Sequence, residues 1–186
     1  MNTKAVQAVA WIKADVGTWI KNAGKIDPFT LIGKEWMLVG AGTASDWNAM
    51  TASWGGLGHL WNMNVAFCFV RPQRHTFGYT EKADRIVLSF FPETQRKALN
   101  YFGAHSGRDE DKAAKGGLSP ISFDDGSVSF DEARIALVCR KLYAQKLNES
   151  CVIDPAVKTN YPKNDYHTMY VGEIEAVWMK AAYHST

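Results

Sequence analysis

Apolar residues in the first part of the chain fall at Ala5, Val9, Ile12, Val16 and Trp19, steps of three and four that line one face of a helix. Gly24 is a suitable stop. The spacing predicts an amphipathic helix over residues 1–24, ahead of one domain over residues 25–186. After Asp27-Pro28 the pattern changes to short extended runs. "EWMLVGAGT", "NAMTASW", "NVAFCFV", "RIVLSFF", "EARIALVCRKLYAQKL" and "TMYVGEIEAVWMKAA" are rich in Val, Ile, Phe and Trp, are divided by Gly, Pro, Asn and Asp, and read as strands. Helical character is confined to "HTFGYTEKA", "ETQRKALNYFG" and "DEDKAAKGG". Strands outnumber helices and do not alternate strictly with them. The fold class predicted is therefore mainly β with helical connections, a largely antiparallel barrel rather than a doubly wound parallel sheet.

"NVAFCFV" is apolar on both faces, the mark of a strand covered on both sides. A barrel covers one face itself, so the other calls for a helix or a second subunit, and a homodimer is expected. In "NAMTASWGGLGHLW" the two-residue period puts Asn48, Met50, Ala52 and Trp54 on one face and Ala49, Thr51, Ser53 and Gly55 on the other. The first face is bulky enough for a core. The second is small and hydroxylated; it either meets water, the simpler reading, or lets a flat ligand lie close to the backbone. Gly55, Gly56 and Gly58 read as a flexible exit from the strand.

Composition narrows the classes. Of 186 residues, 46% are apolar and 22% charged, a globular mixture, and the net charge of +2 is too small for a nucleic-acid footprint. Cys68, Cys139 and Cys151 are odd in number and lack a CxxC pair, so neither a disulfide framework nor a zinc site is indicated and a reducing, cytoplasmic setting is expected. Lys4, Lys13, Asp15 and Lys21 interrupt the N-terminal apolar residues, which leaves no run for a signal peptide or membrane span.

Candidate chemistry is scattered. The glycines do not make a GxGxxG fingerprint, and no Walker A sequence or GxSxG elbow exists. Two stretches suit an anion. "VRPQRHT" sets Arg71 and Arg74 beside Thr76, a candidate helix N-cap, and "HSGRDEDKAAK" sets Arg108 and Lys112 beside Ser106 and Asp109 as candidate caps. Solvated surface charge is the simpler account of each taken singly. His59, His75, His105, His167 and His184 share no ligand spacing, so no metal is expected. His167 precedes the last strand beside Asp165 and Tyr166, as a proton donor, a substrate contact or a structural histidine.

Taken together, "NAMTASW", "RPQRHT", "SGRDEDK" and "DYHTMYVGEI" closely resemble the flavin reductase-like family, from about Pro28 to about Val177. The resemblance implies an FMN-binding split β-barrel of Greek-key antiparallel topology, dimeric, with FMN near the subunit interface and NAD(P)H as hydride donor. By position it implies that Met50, Thr51, Ala52, Ser53 and Trp54 line the isoalloxazine. Arg71, Arg74, His75 and Thr76 take the phosphate and ribityl end, Ser106, Gly107 and Lys112 close over the cofactor, and His167 faces the open side of the ring. The activity implied is reduction of free flavin or another small acceptor; a flavoredoxin-like electron carrier serving a protein partner, or a non-enzymatic ligand-binding barrel, are the alternatives.

Overall fold

The computed structural model describes residues 10–22 and 26–184. Its strands are β1 (Trp11–Ala14), β2 (Met37–Thr43), β3 (Asp46–Ala52), β4 (Gly55–Leu60), β5 (Met63–Val70), β6 (Arg85–Phe90), β7 (Pro120–Ser122), β8 (Val128–Phe130), β9 (Ile135–Lys146) and β10 (Thr168–Lys180). The helices are α1 (Val16–Asn22), α2 (Pro28–Thr30), which runs on into a π-helical turn over Leu31–Glu35, α3 (His75–Lys82), α4 (Arg96–Ala104), α5 (Lys112–Gly116), α6 (Pro155–Lys158) and α7 (Ala181–His184).

The main sheet has the order β3-β2-β6-β9-β10-β5-β4 with β1 attached to β10, and all its pairings are antiparallel. The two ends of that order, β3 and β4, are consecutive in the chain and joined only by Ser53 and Trp54. The sheet must therefore curl until its ends meet, which is a barrel with one seam. Gly55 sits in the seam: a Cβ there would lie 2.6 Å from the Phe67 carbonyl oxygen on β5 and 3.1 Å from Met37 Cε on β2. Inside, Met37, Val39, Met50, Val70, Leu88, Leu137, Tyr170 and Val177 form one buried cluster. A second cluster, with Leu38, Ala49, Leu99, Phe102 and Phe130, lies outside the β2–β3 surface under α4.

Two expectations need correction. Residues 11–14 form a strand, not the middle of a helix, because the second half of β10 has an edge that β5 does not reach, and Trp11–Ala14 pair with Val177–Lys180 along it. The Trp11 indole also donates to Asp131 at 3.3 Å and packs edge-on to Phe123. Tertiary pairing outweighs helical spacing here. Ala5 and Val9 lie outside the described residues, whereas Trp19 is buried on α1. The glycine-rich exit is likewise a strand, β4. Its glycines serve Phe67 of the paired strand, whose ring would lie 3.6 and 3.5 Å from a Cβ at Gly56 and Gly58, so bare backbone accommodates the aromatic face of β5.

Candidate functional site

β3 carries the seam strand's outer face past three helices, and the sequence-predicted residues gather at its two ends. At the first end Asn48, Ala49 and Thr51 meet α3, α4 and α5. The Asn48 amide donates to the Thr76 hydroxyl at 2.8 Å, and both side chains are buried. Thr76 is thus the second residue of α3 rather than its cap. The N-cap is Arg74, whose side chain offers the helix no acceptor; its guanidinium instead donates to the carbonyls of Gly103 at 2.8 Å and Phe102 at 3.2 Å, closing the C-terminus of α4. The first-turn N–H groups of α3 are therefore left without a side-chain acceptor in a field of positive charge.

That charge has several sources. Lys112 is buried at the start of α5, donates to the Ala49 carbonyl at 2.5 Å and lies over the Phe102 ring. Burial first, and then the neighbouring Arg74, bring its ammonium down to about 8. The His75 imidazole is held below its ordinary value by burial, then by Arg108 and Lys112. Among the described residues, Arg108 has no acceptor for its guanidinium. Asp111, not Ser106 or Asp109, caps α5 by accepting from Ala113 and Ala114, while Ser106 accepts from the Arg108 amide at 3.2 Å. Gly107 packs on Asn48 so closely that a Cβ would fall 2.2 Å from Asn48 Oδ1. A cavity of about 700 Å³ opens from Arg74, His75 and Arg108 along α3, and Asp46, Asp84 and Asp125 line it together with Lys82 and Arg85, so its positive charge is concentrated at Arg74 and Arg108.

The other end is aromatic and nearly neutral. Trp54, 42% exposed at the seam, has its ring 5.0 Å from the imidazole of buried His167 and 6.5 Å from Tyr161. The Tyr161 hydroxyl lies 3.0 Å from His167 Nδ1, and the Phe69 ring stands edge-on to the imidazole. Burial, then the charge of Arg71, push His167 down to about 4, so the imidazole is neutral at pH 7. It can hydrogen-bond a ligand but is not a ready imidazolium donor. Tyr161 and His167 are delivered by the long excursion between β9 and β10, in which Asp154 caps α6 and Tyr161 stacks on Tyr166 at 4.3 Å.

Placement separates the remaining residues. Met50 and Ala52 point into the barrel core, so only their backbone can reach a ligand. The Thr51 hydroxyl donates to the Leu99 carbonyl, so a helix covers the small-residue face here instead of water. Ser53 remains partly accessible. Arg71 does not join the cations: it pairs with Asp165 at 2.5 Å, donates to the Asn160 carbonyl and lies over Tyr161. Sequence reasoning missed Asn48 and Tyr161. Asn48 had the signal of an amide opposite a buried strand; Tyr161 had none, since only folding of the excursion brings it to His167.

The chain belongs to the flavin reductase-like domain family, whose model matches residues 30–186. Among solved structures it is similar to the FMN-binding protein of Thermus thermophilus with bound 1-cyclohex-2-enone, at 25% identity over 78% of this chain and 70% of that one, TM-score 0.62. The flavoredoxin of Methanosarcina acetivorans, at 19% identity over 80% and 70%, TM-score 0.64, and nitrilotriacetate monooxygenase component B of Bacillus cereus, at 16% over 88% and 76%, TM-score 0.61, share the fold. Comparison with curated proteins gives no match. Among the described residues no helix is long and apolar enough to cross a membrane, and no cluster of three or more His, Cys, Asp or Glu could hold a metal ion.

Proposed function

We propose that the protein is an FMN-binding oxidoreductase that accepts hydride from NAD(P)H and passes electrons to a small acceptor. The observation that carries this is the division of β3 into two ends. Cations and the uncapped start of α3 gather beside Asn48, aromatic side chains gather at Ser53–Trp54, and about five residues of strand separate them, roughly 17 Å. A phosphate bound at the first end leaves a flat ring at the second.

The residues fit FMN on their own chemistry. α3 begins without a side-chain cap, Arg108 lacks an acceptor for its guanidinium among the described residues, and Lys112 is buried beside Arg74 at the cost of a lowered proton affinity. Each of these is a deficit that a phosphate dianion removes. FMN, when bound, supplies the two-electron chemistry. The protein's part is to hold the phosphate with Arg74, His75, Thr76, Arg108 and Lys112, to keep Asn48 and Gly107 in register behind them, to exclude water with Trp54, and to offer the neutral His167 to whatever approaches the ring. A homodimer completes the proposal. The Thermus relative's complex with cyclohexenone supports an acceptor that is a small ring compound.

The visible spectrum of purified protein with added FMN, recorded without oxygen before and after NADH and NADPH, tests the reading. Bound FMN bleached by either nucleotide is the expected result. FMN that stays oxidised with both would reassign the protein as a carrier reduced by a protein partner, and no FMN uptake would leave only a ligand-binding barrel.

A further inference from the structure

A second cavity, of about 470 Å³, opens at the β3–β4 seam and shares no lining residue with the one that holds Arg74 and Arg108. Its walls are Pro28, Phe29 and Ile32 of the turn before β2, Trp54, Leu57 of β4 and Phe69 of β5. The turn is firmly set: Asp27 accepts from the amides of Phe29 and Thr30, Pro28 opens the helix, and Ile32 is buried. Phe29 stands at the rim, 85% exposed. None of the described lining residues carries a charge.

Three features specify an occupant. The volume lies in the range of small-molecule sites and takes a ligand of one or two rings. Trp54 and Phe69 in its walls favour a flat, conjugated molecule. β4 is an edge strand that pairs only with β5 among the described residues, so its unpaired edge can offer backbone N–H donors to a carbonyl oxygen. An anion would enter a site with no cation to meet it, at the desolvation cost of an unpaired charge.

We infer that this cavity is the acceptor site, and that it takes a neutral one- or two-ring conjugated carbonyl compound, of which a quinone is the reducible type. The acceptor role rests on the oxidoreductase reading; the binding does not. As acceptor the quinone gains two electrons and two protons to become the hydroquinone, one hydride coming from NAD(P)H, which leaves as NAD(P)⁺, and one proton from solvent. Free flavin mononucleotide, with its phosphate, is a poor match for the same walls.

The test uses the FMN-loaded protein and a matched pair of non-reducible probes, 4-methylacetophenone and the anionic 4-acetylbenzoate, followed by saturation-transfer NMR titration. The neutral probe is expected to bind at least ~10-fold more tightly than the anion. Gly33→Glu adds a carboxylate where a Cβ meets nothing within 4 Å. It should weaken the neutral probe ~10-fold while leaving FMN affinity within ~2-fold, and Phe29→Ala should weaken the probe without unfolding the chain. Equal binding of both probes, or neutral binding indifferent to Gly33→Glu, overturns the inference. So does a Gly33→Glu protein that passes from dimer to monomer in sedimentation velocity, since the cavity is then an interface between copies. Duroquinone turnover with NAD(P)H reads the acceptor role separately: probe binding without nucleotide oxidation keeps the site and removes the oxidoreductase reading.

Discussion

Tyr161 and His167 are six residues apart in sequence, and the hydroxyl of one meets Nδ1 of the other at 3.0 Å beneath the Trp54 ring. With the hydroxyl donating, the imidazole keeps its proton on Nε2, which leaves Nε2–H as its outward donor. His167 is neutral because burial, then Arg71, lower it to about 4. An unfolded histidine takes a proton near pH 6.5 and the folded one does not, so stability is lost as pH falls from about 6.5 toward 4. Urea midpoints across that window should fall by the equivalent of about 2 kcal/mol more in the wild type than in His167→Asn. Parallel profiles would show that His167 is charged in the folded protein.

Lys112 ties pH to ligand binding in the opposite direction. Burial and Arg74 place its titration at about 8, and a bound phosphate raises it again by pairing. FMN affinity should therefore fall as pH rises through about 8, with uptake of up to one proton on binding. Lys112→Met should abolish the dependence and weaken FMN by about 10- to 100-fold, the value of one charge-assisted contact. Fluorescence titration of FMN at several pH values measures both.

The two arginines of "VRPQRHT" should behave differently. Arg71 is committed to Asp165 and the Asn160 carbonyl, toward the aromatic end, whereas Arg74 lies at the start of α3. Arg74→Ala should raise the FMN dissociation constant ~10-fold or more, and Arg71→Ala by less than ~3-fold. Arg71→Ala should also raise the His167 pKa, because it removes the charge that helps depress it; NMR titration of the imidazole reads that change.

Gly107 and Gly78 make a matched pair. Gly107→Ala would drive a methyl into Asn48 Oδ1 and disturb the Asn48–Thr76 hydrogen bond. It should cost about 1–3 kcal/mol in urea unfolding and weaken FMN as well. Gly78, within α3, has open space at its Cβ. Gly78→Ala should raise stability by about 0.5–1 kcal/mol.

The sequence announced most of the barrel because its long strands carry their own evidence: "RIVLSFF" and "NVAFCFV" are apolar and β-branched or aromatic whatever surrounds them. It was silent where a partner decides the outcome. Trp11–Ala14 have helical spacing yet complete the edge of β10, and "GGLGHL" has little strand propensity yet pairs throughout its length with β5 because Phe67 needs its glycines. The anion end of the site was visible as local clusters of Arg, Lys and Thr. The roles within it were not: Arg74 caps another helix and Arg71 faces the other way, and neither fact has a signature within a few residues of chain.

β10 pairs with β9 along most of its length, but on its other side it gives its first half to β5 and its last four residues to β1. A shortened form of the protein begun at residue 30, where the family match starts, would strip Trp11–Ala14 away and leave Val177–Lys180 with a row of open backbone donors and acceptors. Such a row recruits strands from other molecules, so trimming to the family boundary would exchange a finished sheet for a sticky one. The residues upstream of the family boundary act as the sheet's selvedge, and protein production should start before Trp11.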